Sequence, residues 1–196
     1  MKEKDVNAVE AKIYNKKNSL FLRSKYYNFN FNRKTGFFMR WGETPKDDPN
    51  FSPFGAEILD LEISSGGDCK GKCDFCYKSN GQPGQPTHNM SLDEFKTILD
   101  KMPPTLTQCA LGIMDIHTNP DFFEMMKYAR SKGVIPNYTT HGLDMTDEDA
   151  DKTVKLCGAV AVSLVNKKKT YDTIKMLINT ILNKKVLIRK KKKEEI

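Results

Sequence analysis

The sequence predicts an α/β fold built on a parallel sheet, and three observations carry that expectation. Between residues 56 and 182, short apolar runs alternate four times with longer segments of helical character. Two of those segments open on helix-start signals and one closes on a glycine. Ahead of them, residues 25–41 alternate with period two around a turn ending in glycine, the pattern of an antiparallel hairpin.

Each element has its own reason. Residues 1–18 are polar, with a weak helical pattern in Val6, Val9 and Ile13. Tyr27, Phe29 and Phe31 then alternate with polar residues, Asn32 to Gly36 makes a turn, and Phe37 to Trp41 runs back. Trp41 is expected to cover the bottom or side of the main sheet. Pro45, Pro49 and Pro53 mark residues 43–55 as a linker. Strands are expected at Ala56–Ile63, Gln108–Ile116, Val134–Thr140 and Ala159–Val165, and helices at Ser91–Met102, Asp121–Lys132, Thr146–Cys157 and Thr170–Leu182. Ser91 with Glu94 forms a capping box, Asp147, Glu148 and Asp149 suit the positive end of a helix dipole, and Gly133 suits a helix C-terminus. Strand–helix alternation of this length makes βαβ units and hence a parallel sheet. Lys185 to Arg189 could begin a fifth strand, but the run dissolves into lysines.

The chain thus divides into an extension over 1–55, an α/β core over 56–182 and a lysine-rich tail over 183–196. At 196 residues it can bury one proper core. No apolar stretch approaches the roughly 18–20 residues of a membrane span. The charged start, Met1-Lys2-Glu3-Lys4-Asp5, leads into no apolar run, so a cytoplasmic location with reduced thiols is expected. The net charge of +7 suggests nucleic acid at first sight. Seven Lys or Arg and two Glu stand between Asn183 and Ile196, so the rest of the chain carries only +2. A terminal basic run without aromatics reads as a solvated, disordered tail rather than a nucleic-acid surface. An RNA-binding role for that tail would show as salt-steep binding lost on its deletion.

The chemistry concentrates in Cys69, Cys73 and Cys76, spaced C-x3-C-x2-C just after the first strand of the core. Three thiolates are soft donors suited to iron–sulfur chemistry, and three of them hold three irons of a cubic cluster while leaving the fourth iron open. A disulfide framework suits small secreted chains instead. Zinc is the stronger rival, but it wants four ligands, and His88, Cys109, His117 and Cys157 stand at no familiar spacing for the fourth. Cys109 and Cys157 flank apolar runs and read as core residues, as do Met114, Met125, Met126 and Met145. Ligands of parallel sheets collect at the carboxyl ends of the strands, where Asp115, His117, Thr139, Thr140, His141, Ser163 and Asn166 also fall. His117 there is either a substrate contact or proton donor, or a loop histidine without chemistry.

With an aromatic residue, Phe75, before the last cysteine, the motif resembles that of the radical S-adenosylmethionine (radical SAM) family. The likeness extends over about residues 56–180. Ala110 to Asp115 sits where the family often has a glycine-rich stretch ending in Glu-Pro, Thr139-Thr140-His141-Gly142 resembles its Thr-Thr-Asn-Gly, and Ala161 to Leu164 resembles its fourth strand.

The resemblance implies a partial parallel (β/α) barrel of TIM-like type, with Cys69, Cys73 and Cys76 holding a [4Fe–4S] cluster. S-adenosylmethionine would chelate the open iron. Phe75 would pack by its adenine, Asp115 would meet its amino group, and Ser163 would meet the ribose or carboxylate. The implied reaction is reductive cleavage to methionine and a 5′-deoxyadenosyl radical, which takes hydrogen from an unknown small molecule or peptide. An external one-electron donor is implied as partner, and neither membrane nor nucleic acid.

Departures from the pattern are Ile113 and Met114 in place of glycines, Asp115 in place of Glu, and His141 in place of Asn. A full family barrel has more than these four β/α units, so the core reads as truncated. The competing expectation is a catalytically incomplete fragment that binds a cluster or zinc as a binding module.

Overall fold

The computed structural model describes residues 10–76, 78 and 81–194, with 184–194 as backbone alone. Val6 and Val9 of the weak helical pattern therefore lie outside the described residues. The chain opens with β1 (Lys12–Lys16), β2 (Ser19–Arg23), β3 (Asn28–Asn32) and β4 (Phe38–Trp41), an antiparallel sheet in that spatial order. The expected hairpin is β3–β4, with Phe31 opposite Phe38 and Asn28 opposite Trp41. Its turn is built by Asn32, whose side-chain oxygen accepts from the Lys34 and Thr35 N–H groups, and by Gly36 at φ 73°.

Two expectations are corrected here. Ile13 belongs to strand β1, opposite Leu22, and not to a helix. Period two in β2, which buries Leu20 and Leu22 and leaves Phe21 outside, supplies a strand for β1 to pair with, and the hairpin overrides a sparse helical pattern. Trp41 does not cover the main sheet: it lies 4.9 Å under the Arg23 guanidinium. Leu20, Leu22, Tyr27, Phe29 and Phe31 do the covering, packed with Ile135.

The chain continues through β5 (Ile58–Glu62), β6 (Ser64–Ser65), β7 (His88–Asn89), α1 (Leu92–Asp100), β8 (Gln108–Gly112), α2 (Phe122–Ser131), β9 (Ile135–Thr140), α3 (Asp147–Leu156), β10 (Val160–Val162) and α4 (Lys167–Glu194). Strands β5, β8, β9 and β10 form one parallel sheet in chain order, as the alternation predicts. The run 185–189 is helical backbone within α4, neither a fifth strand nor an irregular tail. Strand β8 stops at Gly112, so Ile113 to Ile116 form a loop on the carboxyl edge instead of more strand.

Helices and sheet share a core in which Met125, Met126, Ala129 and Cys109 are fully buried and Phe122 meets Tyr138 edge-on at 5.1 Å. Burial pushes the Cys109 thiol up to about 12, in keeping with an inert core residue. Met145 and Cys157 also pack into this core, as read from the sequence, whereas Met114 is buried outside that cluster. Both helix-start signals work as capping boxes, Ser91 with Glu94 and Thr146 with Asp149. Thr146→Ala should cost about 1 kcal/mol of stability in urea unfolding, and no change in midpoint would refute the cap's role.

The antiparallel sheet plugs the amino ends of the parallel strands. Ile135, the first residue of β9, packs into the aromatic layer. Arg33 reaches across to donate Nε–H to the Gly133 carbonyl at 3.0 Å and Nη1–H to the Lys16 carbonyl at 2.6 Å. Gly133 ends α2 at φ 78°, where a Cβ would lie 2.6 Å from Arg33 Nε. The plug leaves the opposite edge, at the carboxyl ends, for chemistry.

Candidate metal centre

Strands β6 and β7 pair, with Ser64 opposite Asn89 and Ser65 opposite His88, and so close residues 66–87 into a loop over the carboxyl edge. Gly66 holds the neck of that loop at φ 121°, its carbonyl accepting from Gly81 N–H at 2.9 Å. A Cβ on Gly66 would meet the Pro86 carbonyl oxygen at 2.1 Å. Gly66→Ala should therefore cost about 1–3 kcal/mol in backbone strain alone. The loss should appear as faster proteolysis of the loop with unchanged far-ultraviolet circular dichroism; an intact, equally resistant loop would refute it.

The three cysteines sit in this loop. Cys69 is buried and Cys73 and Cys76 are partly exposed. Lys72 adopts the left-handed φ of 43° between them, and Cys76 N–H donates to the Cys73 carbonyl at 3.0 Å. Gly71 stands between two of the thiols: a Cβ there would lie 3.5 Å from each of the Cys69 and Cys73 sulfurs and 3.1 Å from His141 Cδ2. Burial raises the Cys69 thiol pKa, and the nearby Asp115 charge adds to the effect.

All three cysteines line one cavity of about 580 Å³, walled by Gly112, Ile113 and Met114 at the end of β8, by Thr140 and His141 at the end of β9, and by Ser163 after β10. Phe75 lines it as well, 78% exposed. Asp115 is different. It is 3% exposed beneath the cavity wall, and both its oxygens face protein donors. His141 Nε2 bonds Oδ1, and the Lys70 N–H donates to Oδ2 at 2.9 Å. Burial works to raise its pKa, but the His141 and Lys70 hydrogen bonds outweigh it and hold the carboxyl below its ordinary value. The Leu143 N–H donates to His141 Nδ1 at 3.0 Å, so Nδ1 bears no proton and Nε2–H is the donor to Asp115.

His117 belongs elsewhere. Its Nε2 bonds Asp149 Oδ2 at 2.7 Å at the start of α3, outside the cavity lining. His141 is the residue to which sequence reasoning gives no role, although it places it on the carboxyl edge and marks it as a departure from Asn. Its signal was a histidine directly following a largely buried strand of the parallel sheet, where burial demands a partner.

Among the described residues, the one group of three metal-type side chains with ligand atoms within 4.8 Å of one another is Cys69, Asp115 and His141. The three cysteine sulfurs are not gathered that closely. A single zinc with Zn–S bonds of about 2.3 Å needs its sulfurs within about 4 Å of each other. Comparison with known protein families and with curated proteins finds no match for this chain.

Proposed function

We propose that this chain is a radical S-adenosylmethionine enzyme core in which Cys69, Cys73 and Cys76 hold a [4Fe–4S] cluster. The carrying observation is the convergence of three thiols from one loop on a single cavity at the carboxyl ends of parallel strands. The donor chemistry fits: the three side chains are free thiols, the soft ligand type that iron–sulfur clusters take. Strands added in chain order support reading the sheet as part of a (β/α) barrel.

When bound, the cluster and S-adenosylmethionine would supply one-electron reductive cleavage of a sulfonium, yielding methionine and a 5′-deoxyadenosyl radical for hydrogen abstraction. The chain's own residues bind and orient. Phe75 offers an exposed ring to an adenine face, Ser163 a hydroxyl to ribose or carboxylate, and Ile113 and Met114 an apolar wall that excludes water. The electron donor is an external partner, and the substrate is a small molecule or peptide. No helix among the described residues is long and apolar enough to cross a membrane, and we read the protein as cytoplasmic.

Anaerobic reconstitution with iron and sulfide, followed by electron paramagnetic resonance of the reduced protein, tests the reading. A four-iron signal that shifts when S-adenosylmethionine is added is the expected result. A signal indifferent to the cofactor would favour the binding-module reading, for which the single sheet neighbour of β10 and the 73% exposure of Leu164 speak. Retained zinc without a cluster would sink the enzyme reading and leave the zinc-holding form of the binding module.

A further inference from the structure

We propose that Asp115 and His141 are a positioning pair that locks the turn carrying Cys69, and not a contact to a bound cofactor or a site for a single metal ion. The proposal rests on the function above only for what the turn carries.

Three loops meet in one hydrogen-bonded relay. Leu143 N–H donates to His141 Nδ1, His141 Nε2–H donates to Asp115 Oδ1, and Lys70 N–H donates to Asp115 Oδ2. The relay thus ties the loop after β9, through the loop after β8, to the backbone beside Cys69. Its two side chains are 8% and 3% exposed, so each bond is made in a dry setting where losing it leaves a buried polar group unpaired. Asp115 is buried and does not line the cavity, which screens its oxygens from an incoming amino group.

The hydrogen bonds of His141 argue against a single metal ion. Neutral imidazole that binds metal through Nε2 carries its proton on Nδ1. That proton would point at the Leu143 N–H, donor against donor. The proximity of Cys69, Asp115 and His141 is therefore that of a lock beside a ligand, and its use is to hold the first thiol of the turn in place before any cluster arrives.

The side-chain chemistry sets the test. In Asp115→Asn the amide NH₂ must face either Lys70 N–H or His141 Nε2–H, so one bond is lost. His141→Phe removes the relay, whereas in His141→Gln the amide can still donate to Asp115. Hydrogen exchange at the Lys70 amide is measured by nuclear magnetic resonance in the cluster-free protein, and iron retention against a chelator is measured after reconstitution. Asp115→Asn and His141→Phe should speed Lys70 exchange about tenfold or more and release iron faster, while His141→Gln keeps both near wild type.

Unchanged Lys70 exchange in the two disruptive variants would overturn the lock. So would native Lys70 protection in Asp115→Asn combined with weakened S-adenosylmethionine binding, or one equivalent of zinc held by the wild type and lost in His141→Phe. If the wild type takes up no iron, the cluster reading fails, yet faster exchange at Lys70 in Asp115→Asn still supports the lock.

Discussion

Cys73→Ala is expected to abolish cluster assembly and, with it, cleavage of S-adenosylmethionine. Cys73 lies on the loop, partly exposed and outside the packed core, so its loss should leave unfolding in urea unchanged. What it removes is one of three thiolates, and two cannot hold a cubic cluster whose fourth iron is already open. Loss of an outer-shell partner typically costs about 10–100-fold in metal affinity or activity, and loss of a ligand should exceed that. Iron and sulfide per chain, and 5′-deoxyadenosine formed under reducing conditions, should both fall to background. Cys109→Ala is the matched control: that thiol is fully buried in the core, so the change should lower stability and spare iron uptake. Full activity in Cys73→Ala, or equal iron loss in both variants, would sink the assignment of the thiol ligands.

Phe29→Ala should produce one of the largest losses of stability in the molecule. Phe29 is fully buried, its ring 5.4 Å from that of Phe38, in the layer that joins the antiparallel sheet to Ile135 at the foot of β9. Truncating a buried Phe costs about 3–5 kcal/mol through lost transfer energy and the cavity left behind. Against a total of about 5–15 kcal/mol, that change approaches the whole margin. Urea unfolding should show a lower midpoint with one cooperative transition, because the plug and the parallel sheet share this layer. A loss below about 1 kcal/mol, or two separated transitions, would mean that the antiparallel sheet does not brace the parallel one.

Much of this architecture is legible along the chain because it rests on short-range rules. Period-two alternation in Tyr27, Phe29 and Phe31 marks the hairpin, and the turn from Asn32 to Gly36 closes it. Glu94 three residues after Ser91 announces α1, and the acidic run after Thr146 announces α3. Strand ends were less legible. Gln108 to Ile116 reads as one apolar run, yet pairing with β5 stops at Gly112, and the remainder turns over the site. The edge strand β1 was missed because every residue in it is exposed, so no hydrophobic period marks it.

The sequence by itself determined the three cysteines and their spacing, the alternation that makes a parallel sheet, and the placement of the cysteine loop after its first strand. These follow from residue type and from contacts a few positions apart. Only the tertiary structure decided what Asp115 does. Its partners lie 45 and 26 positions away, at Lys70 and His141. It also decided that Arg33 braces the plug against Gly133, 100 positions on, and that His117 serves the cap of α3 instead of the cavity. A buried polar group must find a partner, but which one it finds depends on how distant segments pack, and local periodicity carries no record of that.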